Sequence, residues 1–463
     1  MKKFNPYLIV GVGALLLSII GLYNGYPLVY SDTGTYIYSG FDKFIPYDRP
    51  IAYGLFLRFF SFNYSAWFVI IIQNIITSFV IYETIKLFEF KKARLTQLFL
   101  GTILFLVFFT GIGWYSNQLM PDFLVPISVL VIFILLLKSE RDYPGFILLS
   151  FILVFSLISH FSHLLIGTSI VGVVLFCRLI FRHKFSIFRL KRTLVVSIIV
   201  ASGWLFLPTL NYIIERQFIL SKGSHVFLMS HLNDTGILKK FLNENCNSPE
   251  FKDCKLCQFK DSLPNDAASF IWNSHIVDSC GGWLGSKEEY SKIISTTLTR
   301  PKYLFMNVYR SASYGLIQLT RNDIGSGLSA YNEGSAPYGQ IHWRFNSELN
   351  NYLNSKQNIW NGVELKFDVL NRINFVVLIA CLLFFILIFA SSVFLKIAPK
   401  TILFILFVAM AIIVNSFITA GLNCPYERYQ ARIVWLLPFA VIVILAKNYS
   451  ILFKTIYGLI VKK

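Results

Sequence analysis

Charged residues are scarce in this chain: Asp, Glu, Lys and Arg together make up 14% of its 463 residues. Soluble globular proteins contain about 25% charged residues, so the low fraction argues against a soluble protein. Hydrophobic residues make up 55% of the chain. The composition therefore indicates an integral membrane protein.

Cysteine is also scarce, since seven residues are too few for a disulfide scaffold in a chain of this length. Four of them nevertheless cluster, namely Cys246, Cys254, Cys257 and Cys280. On the external side of a membrane, four clustered cysteines predict two disulfides, with three connectivities open. A structural zinc site is the alternative, because the spacing of Cys254 and Cys257 suits metal ligands.

We expect no cleavable signal peptide, because the first apolar stretch is longer than a signal h-region and no small-residue cleavage site follows it. Instead, ten stretches have roughly the length needed to cross a bilayer. They lie near 7–29, 66–88, 95–113, 123–138, 145–159, 164–181, 193–214, 374–396, 401–420 and 433–446. The fourth, fifth and tenth are short.

This pattern predicts an all-α polytopic membrane protein with about ten transmembrane helices and an extracytoplasmic domain between helices 7 and 8. We divide the chain into a membrane module over 1–214, an extracytoplasmic domain over 215–373 and C-terminal helices over 374–463. The boundaries at 215 and 373 are the ends of the long polar stretch, which contains no spanning segment.

The formal net charge of +18 is unevenly distributed over the loops. Basic residues concentrate in alternate loops, which include the sets from Lys86 to Arg94 and from Arg178 to Arg192. The positive-inside rule then places both termini in the cytoplasm. Because the positive-inside distribution accounts for the net positive charge, we predict no nucleic-acid partner.

The first external loop contains an acid and a cation, Asp32 and Arg49. A carboxylate at the membrane surface is partly desolvated and can reach a lipid headgroup. Asp32 is equally consistent with capping a short helix, and Arg49 with anchoring at the interface. Together they offer the groups that transfer from a phosphate-linked donor requires.

Two further external loops carry ionisable groups. Asp122 lies at the outer end of the fourth helix, where it is consistent with both a helix cap and a functional acid. His160 and His163 occupy a short turn at membrane depth, where ionisable side chains usually face a cavity or a partner. The alternative is that the two histidines only close the turn.

The last external loop carries Arg428 and Arg432, contrary to the positive-inside bias. Such arginines require an anionic partner nearby. A guanidinium group suits a phosphate, and an ion pair with Glu427 or another loop acid is the alternative.

These residues resemble the GT-C superfamily of polytopic membrane glycosyltransferases. The resemblance rests on Asp32 after helix one, Arg49-Pro50 followed by Tyr53, Asp122 in the second loop and the turn from Ser159 to His163. The bacterial arabinosyl-, mannosyl- and galacturonosyltransferases that use polyprenyl-phosphate sugars are most similar. The resemblance covers residues 1–214. The chain departs from many members, which have their large external domain at the C-terminus.

The resemblance implies an inverting glycosyltransferase that moves a sugar from a polyprenyl-phosphate donor to a glycan, lipid or protein acceptor. Asp32 would be the catalytic base and Asp122 its partner. A divalent metal such as Mg²⁺ or Mn²⁺ is sometimes involved, for which Asp32, Asp122 and His163 are the candidate ligands.

Other site roles follow from the loop chemistry together with this resemblance. Arg49, Arg428 and Arg432 are the candidates for donor phosphate binding. Tyr36, Tyr53, His160 and His163 are the candidates for lining the substrate cavity.

Two other functions are also consistent with the sequence. A surface-glycan polymerase or ligase would rely on arginines of the external domain, and a transporter or flippase of lipid-linked glycans would use the acids for coupling. The residue usage is typical of an AT-rich bacterial genome. We therefore expect a multi-pass protein of the bacterial inner membrane, with undecaprenyl phosphate as carrier and a periplasmic active site.

Overall fold

The structure is a computed structural model that describes residues 5–138, 142–359, 365–395 and 397–461. The predicted all-α fold is confirmed, because these residues form helices and turns and contain no β-strand. A single isolated backbone bridge joins Leu28 and Gln118. Helices suit a membrane protein because they satisfy their backbone hydrogen bonds within one segment.

Eleven helices precede the long polar region in the described part of the chain. They are α1 (Pro6–Leu17), α2 (Ile19–Asn24), α3 (Thr33–Asp42), α4 (Ala52–Phe60), α5 (Ala66–Lys86), α6 (Lys92–Phe109), α7 (Ile112–Ser116), α8 (Leu124–Leu137), α9 (Tyr143–Ile158), α10 (Phe161–Ile180) and α11 (Leu190–Glu215). A single 3₁₀ turn, Pro121–Phe123, leads into α8.

The polar region and the C-terminal part contain the remaining helices. They are α12 (Ser224–Asp234), α13 (Ile237–Asn245), α14 (Ile276–Ser279), α15 (Gly282–Gly285), α16 (Lys287–Thr299), α17 (Pro301–Gln318), α18 (Ala336–Arg344), α19 (Leu349–Leu353), α20 (Asp368–Leu395), α21 (Pro399–Gly421), α22 (Glu427–Ala431) and α23 (Leu436–Val461). Short turns lie at Lys255–Phe259, Ser269–Asn273 and Asn346–Glu348.

Eight helical segments of the described residues are long and apolar enough to cross a membrane. They are Pro6–Asn24, Ala66–Lys86, Lys92–Phe109, Phe161–Ile180, Leu190–Glu215, Asp368–Ile388, Pro399–Gly421 and Glu427–Tyr449. The fourth and fifth predicted spans correspond to the shorter apolar helices Pro121–Leu137 and Tyr143–Ile158. Whether these two shorter helices also cross the membrane, which would give ten spans, therefore remains a prediction.

Helix α8 occupies the centre of the membrane part. All of its residues from Leu124 to Leu136 are buried, and it packs against α5, α9, α10, α11 and α21. A short helix reaches this position because its neighbours, rather than lipid, cover it on every side. The turn before α8 carries Asp122, which is thereby placed inside the protein.

Basic side chains gather at the other end of α8. Lys138 follows its last turn and pairs with Glu83 at 3.1 Å. Nearby, Arg94 donates to the carbonyl of Ala446 at 2.7 Å, and Lys447 donates to that of Phe88 at 2.6 Å. Basic groups thus lie at one end of the bundle and Asp122 at the other.

The polar region contributes to two separate cores. Helices α12, α13, α16 and the first turn of α17 enclose a small apolar core of their own, which includes Met229, Phe241 and Tyr290. Residues after α17, such as Ile341 and Tyr352, instead join the large core of the membrane part. The predicted region 215–373 therefore contains one self-contained core and one segment that is packed into the helix bundle.

Cys246 and Cys257 form a disulfide within the small core region. Cys254 and Cys280 are free thiols, so the structure contains one of the two predicted disulfides. The thiol of Cys254 lies 3.4 Å from a carboxylate oxygen of Glu289. Burial and this carboxylate raise the pKa of Cys254 to about 12, so the thiol remains protonated at neutral pH.

Candidate functional site

The backbone bridge between Leu28 and Gln118 brings the first and second external loops together. Asp32 follows Leu28 by four residues, and Asp122 follows Gln118 by the same interval. Because the bridge is parallel, both acids are carried to the same side of it. Two loops distant in sequence thus place two carboxylates in one site.

Asp122 is bound by both Arg428, which lies in α22, and Arg432, which follows it. Arg428 donates from Nε and Nη2 to the two carboxylate oxygens at 3.0 and 3.2 Å, and Arg432 donates from Nη1 at 3.0 Å. The side chains of Asp122 and Arg432 are fully buried. Paired contacts of this kind fix the geometry of both partners. Asp122 is therefore held as a buried counter-ion.

Asp32 differs from Asp122 because its side chain is 29% exposed. Its two oxygens accept from Arg49 at 3.1 Å and from Arg428 at 3.3 Å. Although Asp32 occupies the N-cap position of α3, its carboxylate caps no backbone N–H. The helix-cap interpretation is thus not supported, and Asp32 is the accessible carboxylate of the site.

Opposing effects determine the ionisation of Asp32. Burial opposes the charged form, but the guanidinium groups of Arg49 and Arg428 outweigh it and hold the pKa of Asp32 below its usual value. The carboxylate is therefore charged at neutral pH.

Arg49 is positioned by a neighbour whose role the sequence analysis missed. Its Nε donates to Asp48 at 3.0 Å, while its Nη1 donates to the backbone carbonyl of Asp32 at 3.1 Å. The guanidinium lies 5.0 Å from the ring centroid of Tyr36, which packs edge-on against Tyr53. The only signal for Asp48 was its place beside Arg49. Both tyrosines are buried and support Arg49 from within the protein.

Two nitrogens of the Arg432 guanidinium make no hydrogen bond to the described residues. Its Nε and Nη2 have no hydrogen-bond partner in the described part of the chain, although the side chain is completely buried. Buried polar groups are normally satisfied, so these two nitrogens require an acceptor that is not a protein group. Of the alternative ion pairs, those with another loop acid are formed, because both arginines pair with Asp122 and Arg428 also pairs with Asp32. Glu427 instead pairs with Arg321 at 3.6 Å.

The two histidines close their turn and also leave one atom open. His160 Nδ1 accepts from the backbone N–H of Ser162 at 3.2 Å and caps α10. His163 Nδ1 donates to the carbonyl of Ser156 at 2.8 Å, which leaves Nε2 as a buried acceptor with no hydrogen-bond partner among the described residues. Burial and the charge of Arg432 lower the pKa of His160 to about 3, so this imidazole is neutral at physiological pH.

Tyr30 and a glycine-containing segment form another wall of the site. The guanidinium of Arg428 lies 4.2 Å from the ring centroid of Tyr30, and the Tyr30 hydroxyl donates to Tyr426 at 3.1 Å. Gly327 adopts φ +79°, and a Cβ at this position would lie 2.0 Å from the Tyr30 ring. Only glycine allows the chain to approach so closely here. The sequence analysis did not single out Tyr30 or Gly327.

The predicted site residues thus converge at one end of the bundle, with Asp32, Asp122, Arg49, Arg428 and Arg432 in one connected charge network. Among the described residues, no group of three His, Cys, Asp or Glu side chains is arranged to hold a metal ion. Positive charge in this site is supplied by arginine.

Comparison of the chain with protein-family models, with curated proteins and with solved structures finds no match.

Proposed function

We propose that this protein is an inverting glycosyltransferase that moves a sugar from a polyprenyl-phosphate donor to an acceptor at the outer face of a membrane. The observation that carries the proposal is the buried charge network with unused donors on Arg432. Charges at membrane depth are costly, so such a network favours a functional site over a structural one.

The buried polar atoms that lack a hydrogen-bond partner among the described residues favour a phosphate ligand. A phosphate group presents several acceptor oxygens, and Arg432 offers unsatisfied N–H groups at two nitrogens. His163 Nε2 adds an acceptor at which a hydroxyl group could donate. A lipid-linked phosphate reaches this depth because its chain stays in the bilayer.

Asp32 is the group best placed to receive a proton from an acceptor hydroxyl. In the proposed reaction, the hydroxyl oxygen attacks the anomeric carbon while its proton passes to Asp32. The bond between the anomeric carbon and the phosphate oxygen breaks, and the phosphate leaves with that electron pair. Arg432 stabilises the charge that develops on the phosphate. A single displacement inverts the anomeric configuration.

Arg428 connects the proposed catalytic base to the proposed phosphate-binding group. It contacts the buried Asp122 and, by the longest ion pair of the network, the accessible Asp32. We expect a bound phosphate to draw Arg428 away from Asp32 and so make this carboxylate a stronger base. Asp122 would keep Arg428 and Arg432 oriented throughout.

We place the enzyme in a bacterial inner membrane with the site facing the periplasm. The basic bundle end opposite the site is consistent with this orientation. A cell-envelope glycan or lipid is then the expected acceptor class.

A transfer assay tests the proposal. Protein in lipid nanodiscs would be incubated with polyprenyl monophosphates that carry labelled arabinose, mannose or galacturonic acid, with a membrane extract as acceptor. We expect transfer with one donor, and a loss of about 10²- to 10⁴-fold in Asp32→Asn. Glu250→Gln serves as control, because Glu250 pairs with Arg300 at the surface of the small core region. Equal activity of Asp32→Asn and wild type would contradict the mechanism.

A further inference from the structure

Helix α17 (Pro301–Gln318) exposes an apolar face along its whole length. Large apolar side chains on this face are 41–72% exposed. They are Leu304, Phe305, Val308, Tyr309, Leu316 and Ile317. At 3.6 residues per turn, Phe305, Tyr309 and Leu316 lie within about 40° of one another around the helix axis, with Leu304 and Val308 to one side and Ile317 to the other. Exposed apolar surface of this extent indicates an interaction site.

Other residues of α17 pack against two different parts of the protein. Near its start, Tyr303 joins the small core region and donates to Glu244 at 2.7 Å. Near its end, Gly315 lies against the ring of Phe417, and Ser311 donates to the carbonyl of Gly421 at 2.7 Å. Helix α17 therefore joins the small core region to the membrane-spanning helix α21.

The contacts with α21 place the end of α17 beside the membrane. Phe417 lies four residues before the external end of α21 at Gly421, which corresponds to about 6 Å along the helix axis. Gly315 is beside Phe417, so its neighbours Leu316 and Ile317 lie below the outer end of a spanning helix. Ile413 of α21 lies one turn deeper than Phe417 and is 48% exposed, so α21 also exposes an apolar side chain near the end of α17.

We infer that the exposed apolar face of α17 lies in the outer leaflet of the bilayer and contacts lipid acyl chains. Its continuity with the exposed surface of α21 identifies lipid as the occupant, since a spanning helix presents such a surface to acyl chains. The small core region is thereby fixed to the membrane surface.

This position bears on the site through Gln318, the last residue of α17. Gln318 exchanges two hydrogen bonds with the backbone of Tyr426, at 2.8 and 3.0 Å. Tyr426 in turn meets Tyr30 in the wall of the site. The depth of α17 in the leaflet is therefore connected to the loop that carries Arg428. The inference about lipid contact stands whether or not the protein transfers a sugar.

Photolabelling of the wild-type protein tests the inference without any substitution. The protein would be placed in nanodiscs, one copy per disc, with phospholipid that carries a diazirine on an acyl chain. After irradiation, adducts would be mapped by mass spectrometry of peptides. The peptide with Ile413 is the positive control, and the α13 peptide with exposed Lys239 and Lys240 is the negative control.

We expect the α17 peptides to be labelled at a yield comparable to the Ile413 peptide and at least about tenfold above the α13 peptide, since the diazirine is confined to the hydrocarbon core. Labelling of the Ile413 peptide without labelling of α17 would overturn the inference. Labelling of α17 that is lost when two copies occupy a disc would show instead that a second copy covers this face.

Discussion

Asp122 is the charged residue whose replacement should destabilise the protein most. It is the one carboxylate that contacts Arg432 in the described structure, and both side chains are fully buried. Asp122→Asn leaves a buried guanidinium without its counter-ion, which typically costs about 3–5 kcal/mol. We expect a large fall in the thermal unfolding temperature of the detergent-solubilised protein.

The matched control for this prediction is Glu250→Gln. Glu250 and Arg300 form an ion pair in which both side chains are more than two-fifths exposed. Such pairs contribute below about 1 kcal/mol, so the unfolding temperature should change little. Similar shifts in the two variants would mean that the buried network does not stabilise the fold.

Arg49 should determine the pH at which activity is lost in acid. The charges of Arg49 and Arg428 overcome the effect of burial and lower the pKa of Asp32, so its charged form persists to lower pH than in an ordinary aspartate. Activity that needs this carboxylate is present above its pKa in the folded protein and declines as the pH falls through it.

Arg49→Gln removes one of these charges and therefore raises the pKa of Asp32. We expect the acid limb of kcat/KM to move to higher pH than in the wild type. Profiles measured from pH 4 to 8 would show the shift. A reduction of activity by the same factor at every pH would indicate that Arg49 acts in another way.

At the residue scale, the sequence identified the five residues of the charge network but not their separate roles. Arg428 and Arg432 were predictable because external arginines run against the usual charge bias. That Asp122 is buried while Asp32 is accessible depends on how α8 packs in the bundle, which no local pattern encodes. Asp48 escaped notice because an acid beside an arginine in a polar loop has no distinctive signature.

At the scale of elements, substitution of Gly327 tests whether the segment after α17 must pack closely against Tyr30. A Cβ at Gly327 would collide with the ring of Tyr30, whereas a Cβ at Gly334 would meet nothing within 4 Å. Both residues have positive φ, at +79° and +89°. Alanine therefore strains the backbone equally at both positions, by about 1–2 kcal/mol.

We expect Gly327→Ala to be destabilised more than Gly334→Ala by about 1–3 kcal/mol, the usual cost of overpacking. Activity should fall only in Gly327→Ala, because the displaced Tyr30 ring packs on Arg428. Denaturant unfolding and the transfer assay would measure both effects. Equal behaviour of the two variants would show that the contact with Tyr30 is unimportant.

The sequence predicted most long helices, because continuous apolar runs of sufficient length signal a membrane span. It could not show that the polar region divides between two cores. Gln357 illustrates the reason: its side chain bonds the backbone of Val29 at 3.0 and 2.7 Å, far away in sequence. The sequence shows that such a segment is polar but not which distant backbone it satisfies.

At the scale of the whole molecule, the charge distribution predicts which end faces the cytoplasm. A membrane-impermeant amine reagent should modify Lys252 in intact spheroplasts, and Lys91 and Lys184 only after lysis. All three side chains are exposed. Mass spectrometry of the labelled peptides would show the pattern. The reverse pattern would place the site in the cytoplasm and exclude a periplasmic reaction.

The most direct test of the site is the binding of polyprenyl monophosphate, because it requires no knowledge of the sugar or the acceptor. Native mass spectrometry would compare the wild type with Arg432→Gln, and polyprenyl phosphate with polyprenol. We predict that the wild type retains the phosphate and releases the alcohol, while Arg432→Gln loses this preference. Equal retention of both lipids by the wild type would contradict the assignment of these buried arginines to a phosphate.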